Sequence, residues 1–152
     1  MSAQIWYEDF EPGRVLVSPE REVTLADIDA WAQLTGEDHP VHMDEAFARA
    51  AGFRGRICHG LFSLALIEGL KAKMGGFDRS VTASLGWSEV SFRAPLYPGD
   101  RVSLRLECVS KRPTKVAGRG LAVERGVLVT SDGTEIVRGD HTVFLLSRPE
   151  GA

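Results

Sequence analysis

The sequence is short of cysteine: Cys58 and Cys108 are the only two in 152 residues. Two thiols make no disulfide framework, so the fold has to rest on an apolar core. Long hydrophobic runs are missing too. The longest, Leu61 to Ile67, falls far short of the roughly 20 apolar residues of a membrane-spanning helix. The opening residues MSAQIWYEDFEPG hold neither a basic start nor an apolar stretch, so no secretory leader is expected and both thiols should stay reduced. Positive charge is not in excess. Eighteen Lys and Arg against 21 Asp and Glu give a net charge of −3, which excludes the basic face of a nucleic-acid partner. There is no repeat, low-complexity tract or linker. These absences leave a cytoplasmic globular protein, one domain over residues 1–152, with no membrane or nucleic-acid partner.

What is present divides into two halves. In the first, Thr24 opens TLAD with an acid three positions on, close to a capping box. Leu25, Ile28, Trp31, Ala32 and Leu34 then recur at helical spacing, and Gly36 is placed to end the helix. Asp44 to Gly52 predicts a second, short helix. LFSLALIEGLKAK predicts a third, apolar almost all round until Glu68 and therefore expected to be largely enclosed.

The second half alternates with period two. Val81, Ala83, Leu85 and Trp87 share one parity and Val90, Phe92, Ala94 and Leu96 the other, which predicts a β-bulge near Ser88–Glu89. After the turn YPGD come Val102, Leu104, Leu106 and Cys108. Leu121, Val123, Val127 and Val129 mark the apolar side of a further strand, SDGT a hairpin, and Val137, His141, Val143 and Leu145 a last strand. Arg14 to Val17 offers an edge strand. Long strands on short turns make an antiparallel sheet. With one apolar helix to bury, the economical arrangement is an α+β hotdog-like wrap of the sheet around that helix.

The chemistry concentrates in TGEDHPVH, Thr35 to His42. Pro40 biases His39 away from helical geometry, so Glu37 to His42 is expected to be irregular and rigid rather than helical. A carboxylate held beside an imidazole is a general acid/base pair, and histidine titrates close to neutrality. A solvated polar turn is the plainer reading of the same residues. A metal is the third: His39 and His42 with Glu37 or Asp38 offer nitrogen and oxygen ligands, but His59 and His141 stand apart in the sequence, and no metal is expected. CHG, Cys58 to Gly60, opens the apolar helix. Unpaired N–H groups there, with no side chain at Gly60, suit a developing oxyanion; close packing is the alternative reading. Cys58 reads as a packed thiol, and His59 as a residue that caps the helix or holds the loop.

WAQLTGEDHPVHMDEAFA together with FRGRICHGLFSLALIEGL resembles the MaoC-like dehydratases of the hotdog superfamily, which include the (R)-specific enoyl-CoA hydratases. The family's acidic-loop signature reads here as Thr35, Gly36, Glu37, Asp38, His39, Pro40, Val41 and His42, with Ala48 in the closing place. The following element matches at Phe53, Ile57, His59 and Gly60, and YPGDRVSLRLECVSKR continues the likeness. The resemblance implies reversible hydration of a trans-2-enoyl thioester. His42 takes the histidine role, Glu37 that of the aspartate, and the Gly60 N–H that of the thioester-oxygen donor. Three departures stand out: Glu37 replaces the family's aspartate, His39 its asparagine, and Glu68 a serine often found on the central helix. Asp38 is the alternative working carboxylate. An acyl-CoA thioesterase and a non-catalytic acyl-CoA-binding subunit remain alternative readings. The resemblance further implies a homodimer, no cofactor beyond the coenzyme A of the substrate, and basic contacts to its phosphates, for which Arg54, Arg56, Lys71 and Lys73 are candidates.

Overall fold

The computed structural model describes residues 3–151, so the span 1–152 reaches three residues beyond the description. Its elements run in chain order: a 3₁₀ turn Tyr7–Asp9, β1 Val15–Val17, β2 Arg21–Glu22, α1 Leu25–Thr35, α2 Pro40–Met43, α3 Glu45–Ala50, α4 Gly60–Met74, β3 Val81–Phe92, β4 Arg101–Pro113, β5 Arg119–Thr130 and β6 Glu135–Leu146. The strands form one antiparallel sheet in the order β1-β4-β5-β6-β3, with β2 also paired to β4. The α4 helix packs across β4, β5 and β6, so the sheet wraps a helix as expected. No helix among the described residues is long and apolar enough to cross a membrane.

Local sequence accounts for most boundaries. The Thr24 side chain accepts the Asp27 N–H and the Asp27 carboxylate accepts the Thr24 N–H, a closed capping box at the start of α1. Gly36 ends that helix at φ 76°, a left-handed conformation that glycine adopts without strain. In β4, Val102, Leu104, Leu106 and Cys108 are all buried, as their alternation requires. The expected bulge lies between Ser88 and Ser91, with Glu89 at φ 53°, and two further register shifts follow Val81 and Ser84.

Three expectations need correction. Pro40 does not keep the loop irregular as far as His42: it opens α2, a single turn, from its first position. Proline fits there because its missing N–H has no intrahelical partner and its φ is already helical. On β5, the core side is not Leu121, Val123, Val127 and Val129, which are half-buried, but Gly120, Ala122, Glu124, Gly126 and Leu128. The reason is space. A Cβ on Gly126 would lie 2.8 Å from Ile67 Cγ2 of α4, and one on Gly120 would overlap the Tyr7 ring. Small residues therefore occupy the face that α4 presses on, and the larger aliphatics go to the other. Finally, α4 is enclosed on one side only. Phe62, Leu66, Ile67 and Leu70 are buried, while Leu61, Ala65, Glu68 and Ala72 are exposed.

Candidate active site

The loop after α1 is held by its own polar groups. Thr35 Oγ1 donates to the Trp31 carbonyl (2.7 Å), and Glu37 Oε1 accepts the His39 N–H (3.2 Å). His39 caps α2, its Nδ1 accepting the Val41 N–H at 3.2 Å. One turn on, His42 Nδ1 lies 2.8 Å from the Ile57 carbonyl oxygen. That oxygen can only accept, so Nδ1 carries the proton and Nε2 of the neutral ring keeps a free lone pair. The ring of His59 stacks on that of His42, centroids 3.9 Å apart at 27°. Burial is the main influence on His42 and, with the neighbouring His59, holds its pKa below the usual 6.5 despite the Ile57 bond. A neutral ring with an unprotonated Nε2 at pH 7 is the form a general base requires.

His59 settles one open expectation: it holds the loop and makes no side-chain cap on α4. Its Nε2 donates to the Glu37 carbonyl at 2.8 Å, and its Nδ1 is buried without a partner. Glu37, His42 and His59 thereby bring one potential ligand atom each within 4.8 Å of one another. The loop, α2 and the start of α4 meet at this point, with the Glu37 carboxylate exposed beside them. Asp38 is also exposed and makes no hydrogen bond or ion pair among the described residues.

Gly60 is the first residue of α4, where N–H groups lack intrahelical partners and the helix dipole is positive. A Cβ there would stand 3.0 Å from the Phe92 ring, so glycine keeps this approach open. A cleft of about 340 Å³ lies alongside, lined by His42, Gly60, Ser63, Phe92 and Ile136 among others. Cys58 lines it too, but burial pushes its thiol up to about 12, which keeps it protonated and inert.

The basic candidates divide. Lys71 is not available to a phosphate: it is buried in an ion pair with Glu124. Its position on the packed side of α4 decides this, and charge alone gave no hint of it. Arg54 pairs with Asp100 at 2.8 Å and lies 4.0 Å over the Tyr97 ring, yet stays largely exposed. Arg56 pairs with Asp29 and donates to the His42 carbonyl, bracing α2. Lys73 is exposed at a groove of about 480 Å³ beside Pro19, Arg21 and Leu70.

Glu68 lies two helical turns beyond Gly60 and belongs to a second polar cluster. His141, isolated in the sequence, is not isolated in space. Its Nδ1 is 2.9 Å from Glu68 Oε1 and 3.2 Å from Glu124 Oε1, and its Nε2 is 2.7 Å from Ser84 Oγ. Burial works against its charged form, but the bonds to Glu124 and Glu68 carry its pKa above 6.5. His141 in turn draws the Glu68 carboxyl below 4.5 against the effect of burial. One sequence signal pointed here: Glu124 shares the parity of Ala122 and Leu128, and an acid on a core face needs partners.

Residues 9–131 match the family profile described as MaoC like domain. The chain is 29% identical over 135 residues to the 3-hydroxybutyryl-CoA dehydratase of Methylorubrum extorquens, covering 88% of this chain and 83% of that protein. It is 31% identical over 120 residues to the (R)-specific enoyl-CoA hydratase of Aeromonas caviae, covering 79% and 84% respectively. Protein MaoC of Klebsiella aerogenes is 36% identical over 106 residues, 70% of this chain but only 31% of that longer protein. Among solved structures, the Aeromonas caviae (R)-hydratase involved in PHA biosynthesis superposes with a TM-score of 0.73 at 27% identity, over 91% of this chain and 97% of its own. A double-hotdog protein of Mycobacterium tuberculosis superposes at 0.80 and 19% identity, over 98% of this chain and 46% of its own, which shows the hotdog fold.

Proposed function

The chain belongs to the MaoC-like family, and from that premise we propose that it catalyses the reversible hydration of a trans-2-enoyl-CoA to a 3-hydroxyacyl-CoA. The observation that carries this reading is the fixed tautomer of His42, whose Nδ1–H is committed to Ile57. A water held between Glu37 and His42 Nε2 gives a proton to Nε2 as its oxygen bonds to C3 of the substrate. The electron pair moves onto the thioester oxygen, where the Gly60 N–H receives the charge. The imidazolium then returns the proton to C2, the enolate collapses to the thioester, and Glu37 balances the transient positive charge. Coenzyme A enters as part of the substrate, with exposed Arg54 the better placed of the two arginines for its phosphates. The test is the loss of enoyl absorbance from crotonyl-CoA. Turnover by the natural protein that vanishes in His42→Ala supports the reading; wild-type turnover that survives His42→Ala sinks it.

One observation favours the binding-only alternative. The Glu37 carboxylate is engaged with the His39 N–H of its own loop and is otherwise exposed. Tight enoyl-CoA binding without turnover is the outcome that alternative requires. We also propose a homodimer in the cytoplasm. Phe92 (53% exposed) lines the cleft and Leu61 (64% exposed) follows Gly60 in the chain, and a second copy covering them would close the cleft to water. Both free cysteines are buried, as suits a reducing compartment. A mass from light scattering equal to one chain would refute the dimer.

A further inference from the structure

From the cluster around His141 we infer that the protein carries a second, independent acyl-transfer site, in which Ser84 is the nucleophile, His141 the base and Glu68 the residue that orients the base. Its substrates are carboxylic esters. Connectivity is the first argument. His141 Nδ1 faces only carboxylate oxygens, at 2.9 and 3.2 Å, so it carries the proton. Once the ring is neutral, above its raised pKa, Nε2 accepts, and the Ser84 hydroxyl stands 2.7 Å from it as donor. Serine to Nε2 and carboxylate to Nδ1 is the arrangement in which a histidine activates a serine. The ring is also held in place: Trp87 stacks on it at 4.4 Å and 2°, and the buried Lys71–Glu124 pair fixes the second carboxylate.

Access to the serine follows from the strand. Ser84 is exposed on β3, the outermost strand on its side of the sheet, so the hydroxyl is open to solvent. The register passes from Ser84↔Val143 directly to Gly86↔Thr142, which leaves Leu85 without a partner in β6. The Leu85 N–H, next after the nucleophile at this bulge, is the donor assigned to the oxyanion. Gly86, at φ 143°, puts no side chain in the way.

The steps balance without an added reagent. Ser84 Oγ bonds to the ester carbonyl carbon as its proton passes to His141 Nε2. The bond to the alcohol oxygen then breaks, and the alcohol departs with that proton. Water repeats the sequence on the acyl-serine, giving a carboxylic acid and restoring the hydroxyl.

The experiment uses the full chain, with p-nitrophenyl acetate and a fluorophosphonate as probes. Mass spectrometry of the fluorophosphonate-treated protein should place the adduct on the Ser84 peptide. Nitrophenolate release should fall by about 10³-fold in Ser84→Ala, while crotonyl-CoA hydration stays within about twofold of wild type, since Ser84 has no part in that reaction. Folding is checked by circular dichroism and is not at risk from an exposed serine. A folded protein with no adduct on Ser84 overturns the proposal, and so does a Ser84→Ala variant that hydrolyses the ester at the wild-type rate. Because ester hydrolysis and enoyl hydration are read separately, either site can fail without the other.

Discussion

His42 faces a backbone carbonyl on one side and the ring of His59 on the other, whereas His141 lies between the carboxylates of Glu68 and Glu124. Both rings are held with Nδ1 as donor and Nε2 directed away. Their surroundings then drive them in opposite directions: burial beside another imidazole lowers the pKa of His42, and two acids raise that of His141. Orientation and basicity are thus set by separate features. A neutral carbonyl fixes a tautomer but raises proton affinity too little to offset burial, while two carboxylates fix it and raise that affinity past the effect of burial.

The largest expected effect breaks the comparison at His42. His42→Ala should lower kcat/KM for enoyl-CoA hydration by about 10³-fold, or about 4 kcal/mol, as loss of a general base does. Its stability in urea should hardly change, since the ring is half-buried and its one hydrogen bond is to a carbonyl beside the cleft. The next effect is structural and lies at the other histidine. Lys71→Met removes the lysine partner of Glu124, which is 1% exposed with Oε2 unpartnered and keeps only His141, and should cost about 3 kcal/mol in urea unfolding. Lys71→Met with Glu124→Leu should recover most of that loss, because the unpaired charge is then gone. If the double variant is no more stable than the single one, the ion pair is not what the cluster depends on.

The two regions also differ in how far they could be read beforehand. Around His42 each signal is local in sequence, the Thr24–Asp27 box, Gly36, Pro40 and the TGEDHPVH spacing, although the partners Ile57 and His59 come from the segment leading into α4. Even there, Pro40 reads as a breaker in sequence but is a first helical residue, because the proline rules for the preceding and the following residue point in different directions. Around His141 the partners come from α4, β3, β5 and β6, and no spacing links Glu68, Ser84, Glu124 and His141. The β5 parity failed for the same reason. Leu121, Val123, Val127 and Val129 look like a core face, yet the core face is the one with glycines, and only the positions of Ile67 and Tyr7 explain them. Gly126→Val, with its Cβ 2.8 Å from Ile67 Cγ2, should therefore destabilise by about 2 kcal/mol, read as a lower urea midpoint. An unchanged midpoint would mean that α4 moves freely on β5.

The smallest effects are in the pH profiles, and there the two histidines should part in sign. His141 gains its partners on folding and has a pKa above its unfolded value of 6.5. Its contribution to stability is fully present below 6.5 and is lost as pH rises through the folded value, because the neutral ring no longer rewards the two carboxylates. Urea unfolding followed from below 6.5 to well above it should show this decline in the wild type and not in His141→Gln. His42 runs the other way in catalysis. It must be neutral to accept a proton, and burial lowers its pKa, so the acid limb of kcat/KM for hydration should fall below 6.5. An acid limb above 6.5 that survives in His141→Gln would mean that the carboxylate of Glu37 dominates burial at His42, and the contrast between the two rings would not hold.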